Sequence, residues 1–416
     1  MKNVIDELNY RGLVQQYSDE EKLRKMFETK QTVYCGFDPS ASSMHLGNYV
    51  MISLLKRLQL AGHRIVAVVG GATGMIGDPS GKSSERTLQT METLAANTAS
   101  IKAQLEKYID LSDPEKGILV SNLDWLGPLS MIDFLRDYGK YFSINYMLSK
   151  EIVKSRLEAG ISFTEFAYQI LQSIDFYHLH HKEGVSVQIG GNDQWGNLTS
   201  GLELIRKIDG LEEEVEVFTC KLITRSDGKK FGKSEKGALF LDPKLTSPYD
   251  IYQFFMNVTD EDAIRFMKTF TFLSFEEIEE VAKEHFAAPG ARIGQKRLAY
   301  EVTKDLHGEE AANEAIKMTQ ALFSGDVASL KESQIEELFG SMKVKLEEGM
   351  GLLDALVAVK EATSKSEARR DVTQNAVSLN GKKVTDPNLL LTRDLALHGK
   401  YLIFRKGKKS YFLGEF

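Results

Sequence analysis

Cysteines and long apolar runs are scarce in this 416-residue sequence, and each scarcity excludes a class of protein. The two cysteines, Cys35 and Cys220, lie far apart and show neither C-x-x-C nor His-rich zinc spacing, so free thiols in a reducing cytoplasm are expected. No stretch approaches the ~20 apolar residues that span a bilayer, and no membrane partner is expected. The acidic start MKNVIDELNYRGLV does not match a signal peptide either.

The net charge of −7 argues weakly against a polyanion as partner, but the charge is unevenly distributed. Residues 352–416 contain 12 Lys and Arg against 7 Asp and Glu, a balance of +5 that leaves about −12 for the rest of the chain. A basic C-terminal segment on an acidic body indicates that a polyanion is bound there, although a solvated charged surface would have the same composition.

Short β-rich runs alternate with helical patterns in the first half of the chain. Residues 32–37 (TVYCGF) and 64–69 (RIVAVV) are predicted strands, as are 118–120 and 185–189, and residues 49–60 show the apolar spacing of a helix. This alternation predicts an α/β fold, with a doubly wound, Rossmann-like parallel sheet that binds ligands at the carboxyl ends of its strands.

The pattern changes after the α/β segment. We expect a catalytic domain over 1–222, a Lys-, Gly- and Ser-rich connector over 223–246, an α-helical domain over 247–325, a linker over 326–350 and a small α+β domain over 351–416. Ser247-Pro248 and the pair Ser274 and Glu277 predict helix starts, and Asn380-Gly381 predicts a turn between strands.

His45 and Asn48 lie at the predicted start of the first long helix, within the segment DPSASSMHLGN. A helix N-terminus suits a phosphate, and residues three apart can both face the same anion from the first turn. Gly47 would let a nucleotide approach the backbone closely. An ordinary capped turn is the alternative that this segment alone leaves open.

Two further segments combine glycine with lysine. GGATGMIGDPSGKS is not a P-loop, because three or six residues, instead of four, separate its glycines from the Gly-Lys-Ser at 81–83. Asp78, Lys82 and Arg86 nevertheless offer polar contacts there. KFGKS, residues 230–234, lies in the connector, where paired lysines on a Gly-containing loop either close over a polyphosphate or form a solvated turn.

HLGN after the first strand and KFGKS after the α/β segment resemble, in order and type, the HIGH and KMSKS signatures of class I aminoacyl-tRNA synthetases. The segments YCGFDP, GGATGMIGDPSGKSSER, ISFTEFAYQILQSIDF and QIGGNDQWGN resemble the bacterial tyrosyl group of that family, and the likeness runs along nearly the whole chain. Two positions depart from the usual signatures. Asn48 replaces the second His of HIGH, so it donates a hydrogen bond without charge, and KFGKS replaces KMSKS.

The resemblance implies a tyrosine pocket deep in the α/β domain. The pair that holds the phenol matches Tyr34 and Asp175, and a buried hydroxyl needs both a donor and an acceptor. The acceptors for the α-amino group match Tyr168, Gln172 and Asp78. Gln188 completes the tyrosine-binding set.

The resemblance also implies an ATP site. The adenylate-binding residues match Cys35, Gly36, Asp38, Gly190, Gly191, Asp193 and Gln194. Ser40, His45, Asn48, Lys230 and Lys233 form the catalytic set that would hold the β- and γ-phosphates, with Gly47, Phe231, Gly232 and Ser234 beside them.

The implied reaction has two steps. The tyrosine carboxylate attacks the α-phosphate of Mg-ATP to give tyrosyl-adenylate and pyrophosphate, and tyrosine then passes to the 3′-terminal adenosine of its tRNA. Positioning and positive charge would carry catalysis, without a covalent enzyme intermediate. Mg²⁺ is expected to arrive with ATP, because His178, His180 and His181 lack metal-ligand spacing and no protein-bound metal is expected.

The C-terminal segment resembles a small RNA-binding fold shared with a ribosomal small-subunit protein. Its candidates for contact with the RNA backbone are Lys365, Arg369, Arg370, Lys382 and Lys383, and Lys82 and Arg86 are further candidates nearer the α/β site. The resemblance implies a homodimer with one tRNA laid across two subunits.

Two other interpretations stay open. A tryptophanyl or other class I synthetase is the first, and Tyr34 with Asp175 argues against it because an indole offers no hydroxyl. A non-catalytic RNA-binding descendant is the second, and the joint presence of His45, Lys230 and Lys233 argues against that.

Overall fold

A six-stranded, mostly parallel sheet lies at the centre of the first half of the chain. The structure, a computed structural model, describes residues 3–80, 88–158, 160–226, 231–234, 237–407 and 410–416. The strands of this sheet are β1 (Val14–Tyr17), β2 (Thr32–Phe37), β3 (Arg64–Val69), β4 (Gly117–Ser121), β5 (Val187–Gly191) and β6 (Glu216–Cys220). They lie in the order β1-β6-β5-β2-β3-β4, with β1 antiparallel at the edge. The predicted doubly wound α/β fold is confirmed.

The strand order reverses between β2 and β5, which are neighbours in the sheet although about 150 residues separate them along the chain. Tyr34 on β2 pairs with Val66 on β3 and with Gln188 on β5. Such a reversal opens a crevice at the carboxyl ends of the two strands, where ligands of doubly wound sheets bind.

Helices cover both faces of this sheet and continue beyond it. Helices α1 to α11 are Val4–Tyr10, Glu20–Met26, Leu46–Leu60, Thr73–Ile76, Met91–Tyr108, Leu123–Leu126, Met131–Asp133, Ile144–Ser149, Glu151–Lys154, Phe163–Glu183 and Trp195–Ile208. Phe176 of α10 and Leu202 of α11 pack with Val66 and Val217 of the sheet. Burial on both faces explains why β3 reads as a continuous apolar run without alternation.

The connector and the helices after it complete this part of the chain. They comprise β7 (Lys233–Ser234), β8 (Gly237–Ala238), α12 (Pro248–Met256), α13 (Asp260–Phe270), α14 (Phe275–Ala287) and α15 (Ile293–His307). The predicted helix starts are confirmed, because the hydroxyls of Ser247 and Ser274 accept the backbone N–H of Asp250 and Glu277 in the first turns of α12 and α14.

Helix α3 runs from the carboxyl edge of the sheet to the helices after the connector. Its Tyr49 hydroxyl and Lys56 ammonium both contact the carboxylate of Asp305, near the end of α15. Its buried Arg57 donates to the carbonyl of Thr271, just after α13, and burial lowers the pKa of that guanidinium to about 9. Helix α3 is therefore held by the later segment along its length, from Tyr49 in its first turn to Arg57 near its end.

The chain forms two compact units, Met1–Gly308 and Glu309–Phe416. The second contains α16 (Glu309–Ser324), α17 (Glu332–Phe339), β9 (Lys343–Lys345), α18 (Leu352–Ala358), α19 (Lys365–Thr373), β10 (Val377–Leu379), β11 (Lys382–Lys383), β12 (Tyr401–Lys406) and β13 (Ser410–Glu415). Its sheet has the order β11-β10-β12-β13-β9, and its core includes Leu356, Val372 and Phe404. Asn380 and Gly381 both adopt positive φ angles between β10 and β11, as the predicted turn requires.

The segment 326–350 differs from its prediction as a linker. It contains α17 and β9, and β9 pairs in parallel with β13, so it is part of the second unit. The charged, Gly-containing composition of this segment gave no indication of a strand, because β9 is only three residues long and its partner strand lies almost 70 residues later. Among the helices that the structure describes, none is long and apolar enough to cross a membrane.

Candidate active site

A cavity of about 740 Å³ opens at the carboxyl ends of β2 and β5. It brings together predicted residues from both ends of the first unit: Tyr34, Cys35, Gly36, Asp38, Ser40, His45, Gly47, Asn48, Asp78, Tyr168, Gln172, Asp175, Gly190, Gly191, Asp193, Gln194 and Phe231. The size suits a small-molecule or nucleotide ligand, and the lining mixes apolar walls with a few polar groups.

The deep end of the cavity contains the carboxylate of Asp175 and the ring of Tyr34, which are 2% and 1% exposed. Trp125 Nε1 donates to Asp175 Oδ1 at 2.8 Å, and Asn122 Nδ2 donates to Asp175 Oδ2 at 3.0 Å. Burial raises the pKa of Asp175 to about 7, although both hydrogen bonds oppose the rise. Burial, reinforced by the nearby Asp175, also raises the pKa of the Tyr34 hydroxyl, which stays neutral.

A chain of hydrogen bonds leads from this deep end to Asp38, just after β2. Asn122 Nδ2 also donates to Thr73 Oγ1 at 2.9 Å, and the Thr73 hydroxyl donates to Asp38 Oδ1 at 2.7 Å. Tyr168 donates its hydroxyl to Asp38 Oδ2, also at 2.7 Å. Tyr168 thereby keeps its oxygen lone pairs as acceptors for a ligand.

Glycine at position 70 makes this chain possible. A Cβ there would overlap Asp38 Oδ1 and Thr73 Oγ1. The backbone after β3 therefore passes close to Asp38, and any other residue would displace the carboxylate.

Asp78 lies where α4 ends, after Gly77 with its φ of +88°. Its Oδ1 accepts the N–H of Ser80 at 2.9 Å, and its Oδ2 accepts an amide N–H of Gln194. Gln172 and Tyr168 line the same stretch of cavity wall from α10. Carboxylate, amide and phenol oxygens are the acceptors that an ammonium group requires.

The first turn of α3 forms the other end of the cavity. His45 is the N-cap residue, its Nδ1 accepts the N–H of Gly47 at 3.0 Å, and its own N–H donates to Asn48 Oδ1 at 3.0 Å. The two side chains thus cap the helix reciprocally as well as lining the cavity. Because Nδ1 accepts, a neutral His45 carries its proton on Nε2, where it can donate to an anion.

The connector passes beside this turn. Leu46 donates its N–H to the carbonyl of Leu239 at 2.9 Å, and Leu239 donates its N–H to the carbonyl of Gly232 at 2.9 Å. Phe231 stacks on Phe270 with ring centroids 4.9 Å apart. The described residues 231–234 of the KFGKS loop therefore lie next to the first turn of α3. Lys82, Arg86 and Lys230 lie outside the described residues, and only the backbone of Lys233 and Ser234 is described.

The residues that the resemblance assigns to the adenylate lie at the ends of β2 and β5. Burial raises the pKa of the Cys35 thiol, which is therefore neutral. A Cβ at Gly190 would lie 2.9 Å from Leu198 Cδ1, so glycine lets α11 approach the strand. Asp193 follows directly in an exposed position at the cavity rim.

Among the tyrosine and ATP candidates that the structure describes in full, backbone and side chain, Gln188 and Gly232 are not part of the cavity lining. The side chain of Gln188 is buried on β5 and faces Gly201 of α11, where a Cβ would lie 3.4 Å from Gln188 Oε1. Gln188 therefore lies between β5 and α11, behind the cavity wall.

Sequence reasoning missed Asn122, Trp125 and Thr73. Asn122 follows β4 directly, so the rule that functional groups lie at strand carboxyl ends would have found it. Nothing in the sequence links Trp125 to Asp175, because they meet only through the packing of α6 against α10.

The candidates for RNA contact in the second unit lie on its surface. Lys365, Arg369 and Arg370 stand on α19, Lys382 and Lys383 form β11, and all five are exposed. Lys365 forms an ion pair with Asp354 at 2.5 Å. Among the described residues, no group of three or more His, Cys, Asp and Glu is arranged to hold a metal ion.

Two family models match the sequence. The model of tRNA synthetases class I (W and Y) matches residues 26–324. The model of the tyrosine–tRNA ligase SYY-like C-terminal domain matches residues 334–414.

The chain is also similar to curated proteins over its full length. The tyrosine–tRNA ligases of Bacillus caldotenax and Geobacillus stearothermophilus are each 50% identical to it over 415 residues, which is 99% of this chain and 99% of each relative.

Among solved structures, a C-terminally truncated mitochondrial tyrosyl-tRNA synthetase of Aspergillus nidulans matches with a TM-score of 0.69 and 31% identity, over 78% of this chain and 95% of that chain. A tryptophanyl-tRNA synthetase of Plasmodium falciparum shares the fold, with a TM-score of 0.55 at 15% identity, over 79% of this chain and 86% of that chain.

Proposed function

The chain belongs to the class I tRNA synthetases (W and Y) and, among them, to the tyrosine–tRNA ligases, and we propose that the cavity at the ends of β2 and β5 is where it forms tyrosyl-adenylate. The predicted family and enzyme class are confirmed by the comparisons. The proposal concerns which residues act and how.

The phenol of tyrosine fits the deep end of the cavity. Tyr34 supplies a neutral hydroxyl, and Asp175 supplies a carboxylate whose pKa of about 7 leaves it substantially ionised at neutral pH. The substrate hydroxyl would donate to Asp175 and accept from Tyr34. This buried polar pair is the observation that carries the proposal, because a phenylalanine ring offers no hydrogen bond to the Tyr34 hydroxyl or to the remaining lone pairs of Asp175.

The ammonium group of the substrate would meet Asp78, Tyr168 and Gln172. This arrangement directs the carboxylate of tyrosine toward the nucleotide side, between the ends of β2 and β5. ATP would lie with its adenylate against Cys35, Asp38 and Gly191, and with its outer phosphates at the first turn of α3. The predicted set of Ser40, His45, Asn48, Lys230 and Lys233 would neutralise those phosphates, and Mg²⁺ would enter as part of the substrate MgATP.

The chemistry follows from this placement. A carboxylate oxygen of tyrosine forms a bond to the α-phosphorus while the bond to the β-phosphate oxygen breaks, and pyrophosphate leaves. In the second step the terminal ribose hydroxyl of tRNA attacks the carbonyl carbon, and AMP leaves. Donors from His45 and Asn48 need only stabilise the growing charge, since no step requires a covalent bond to the protein.

The test is ATP–pyrophosphate exchange with each of the twenty amino acids. Among the twenty amino acids, tyrosine alone should support exchange, and Asp175→Ala should abolish this tyrosine-dependent exchange. Asp209→Ala, which removes a carboxylate outside the cavity at the end of α11, is the matched control and should exchange at the parental rate. Exchange driven by another amino acid, or parental exchange by Asp175→Ala, would show that the pocket is misplaced.

We further propose that tRNA binds the exposed cations of α19 and β11. Each contact with a phosphate releases counterions, so Arg369→Ala with Arg370→Ala should raise KM for tRNA and lower the salt dependence of binding by about one unit of slope per contact. Pyrophosphate exchange does not involve tRNA and should not change. Unaltered KM and salt slope would assign the tRNA contact elsewhere.

We also propose a homodimer formed through the first unit. Met131, Ile132, Ile144 and Phe163 are 75%, 68%, 60% and 72% exposed. Helices α8 and α10, which carry Ile144 and Phe163, contribute to one apolar cluster, and Phe134, directly after α7, packs against it. Apolar side chains exposed together in this way mark interaction surfaces. Phe163→Asp should shift the sedimentation equilibrium to monomer, whereas Phe286→Asp, on α14, should not.

Tyrosine, ATP and tRNA meet in the cytoplasm, and both cysteines are free thiols. We therefore propose that the chain acts in that reducing compartment.

A further inference from the structure

Asn197 lies in the first turn of α11, behind the wall of the cavity, and is 0% exposed. Its Nδ2 donates to Gln194 Oε1 at 3.1 Å and to Ser80 Oγ at 3.3 Å. Asn197 does not line the cavity, so it does not touch a ligand there.

Both partners of Asn197 hold the same carboxylate. Ser80 donates its backbone N–H to Asp78 Oδ1 at 2.9 Å, and Gln194 donates an amide N–H to Asp78 Oδ2. Ser80 and Gln194 come from segments more than a hundred residues apart, one after α4 and one after β5. Asn197 is the described side chain that joins them.

The carboxylate of Asp78 determines which group donates and which accepts in the hydrogen bonds of Gln194 and Asn197. An ionised carboxylate only accepts, so Gln194 must turn its amino group to Asp78 and its carbonyl oxygen away. That oxygen then needs a donor, and the amino group of Asn197 is the donor in place. Without it, the carbonyl of Gln194 would lose its partner, and the amide could flip or turn away from Asp78.

We propose that Asn197 is a positioning residue for recognition of the substrate ammonium group, acting through Gln194 and Ser80 to fix the carboxylate of Asp78. The inference rests on the proposed role of Asp78 in binding that ammonium. Loss of Asn197 then weakens only those ligands that carry the ammonium, because the phenol pocket of Tyr34 and Asp175 is left intact.

The test compares L-tyrosine with 3-(4-hydroxyphenyl)propionate, which has the same phenol and carboxylate but no ammonium. Binding to the full chain is measured by isothermal titration calorimetry. Asn197→Ala should weaken tyrosine binding about tenfold, the scale of losses seen when supporting hydrogen bonds around a site are removed, and change binding of the analogue less than about twofold. Ser80→Ala, which removes one of the two acceptors and no backbone contact, should give a smaller loss with the same selectivity.

Ser200→Ala is the matched control. Ser200 is also 0% exposed on α11, but its hydroxyl donates to the carbonyl of Gly196 within the helix. This variant should bind both ligands as the parent does. Equal weakening of both ligands by Asn197→Ala, or by Ser80→Ala if the first variant does not fold, would overturn the proposal, since a general packing defect has no selectivity.

Asp78→Ala separates this inference from the function on which it rests. If Asp78→Ala loses tyrosine selectively while Asn197→Ala and Ser80→Ala do not, the positioning role is wrong and the role of Asp78 stands. If Asp78→Ala weakens both ligands equally, the ammonium site itself is misassigned, and the positioning role falls with it.

Discussion

The hydrogen bond from Trp125 to Asp175 should control the pH at which tyrosine is recognised. In the proposed function the substrate phenol donates to the ionised carboxylate of Asp175, whose pKa is about 7. The kcat/KM for tyrosine should therefore rise as the pH rises through about 7, and level off above it, because kcat/KM reports ionisation of the free enzyme. Trp125→Phe removes the indole N–H that donates to Asp175. It keeps an aromatic ring against His178, whose ring centroid lies 4.6 Å from that of Trp125.

The size of the effect follows from the bond that is lost. A hydrogen bond to a charged group contributes about 1.5–3 kcal/mol, and one pKa unit corresponds to about 1.4 kcal/mol, so the pKa of Asp175 should rise by about one to two units. The ionised fraction at pH 7 then falls from about one half to between about a tenth and a hundredth. The kcat/KM at pH 7 should fall about 5- to 50-fold and recover at higher pH.

The assay is pyrophosphate exchange at subsaturating tyrosine, measured in ordinary buffers from about pH 5.5 to about pH 9.5. Trp195→Phe is the control, since it removes the other tryptophan of the chain, which has no bond to Asp175, and its midpoint should stay near that of the parent. An unchanged midpoint in Trp125→Phe, or a loss that does not recover at high pH, would refute the reasoning.

Three other predictions concern the same site and the division of the chain. Gly70→Ala should lower kcat/KM for tyrosine about 100-fold while leaving the circular dichroism spectrum unchanged, because the new Cβ overlaps Asp38; near-parental activity would contradict the close approach. Asp175→Asn should gain stability relative to the parent as pH rises from about 4 to about 7. In the native parent Asp175 keeps its proton up to a pH of about 7, whereas in the unfolded chain it releases that proton above its ordinary pKa of 3.8. The free energy of unfolding of the parent therefore falls by about 1.4 kcal/mol per pH unit in that window. A difference in Tm between the two proteins that is constant with pH would contradict this prediction. Deletion of Glu309–Phe416 should spare pyrophosphate exchange and abolish tRNA charging, whereas loss of both would mean that the first unit needs the second to fold.

The strands around the site were predictable because their burial is complete. β2 and β3 are apolar runs bounded by polar residues, and their predicted bounds are those of the structure. β6 was missed because it begins with Glu216, a residue that argues against burial by its type. Glu216 is 1% exposed and is held by Lys22 and Arg206 at 3.0 and 2.7 Å, contacts that only the tertiary fold creates.

The candidate site divides in the same way. Sequence motifs and the predicted ends of strands were enough to identify residues such as His45 and Asp193. Three of the groups that support the carboxylates were not found, because only folding brings them there: Trp125 donates to Asp175, Thr73 donates to Asp38, and Asn197 reaches Asp78 through Ser80 and Gln194. The double use of His45 and Asn48 as helix caps was also beyond sequence reasoning, because the same spacing serves capping and anion binding alike.

Asp305 of α15 holds helix α3 at two points, Tyr49 in its first turn and Lys56 nearer its C-terminal end. From Lys56 to the first turn is about ten residues, or about 15 Å at 1.5 Å per residue, so a tilt of only about 4° moves His45 and Asn48 by about 1 Å. Displacements of that size cost catalysts about 100-fold in rate. In the proposed function the first turn of this helix meets ATP, so the contacts of Tyr49 and Lys56 with Asp305 of α15 would set how precisely His45 and Asn48 are placed for adenylate formation.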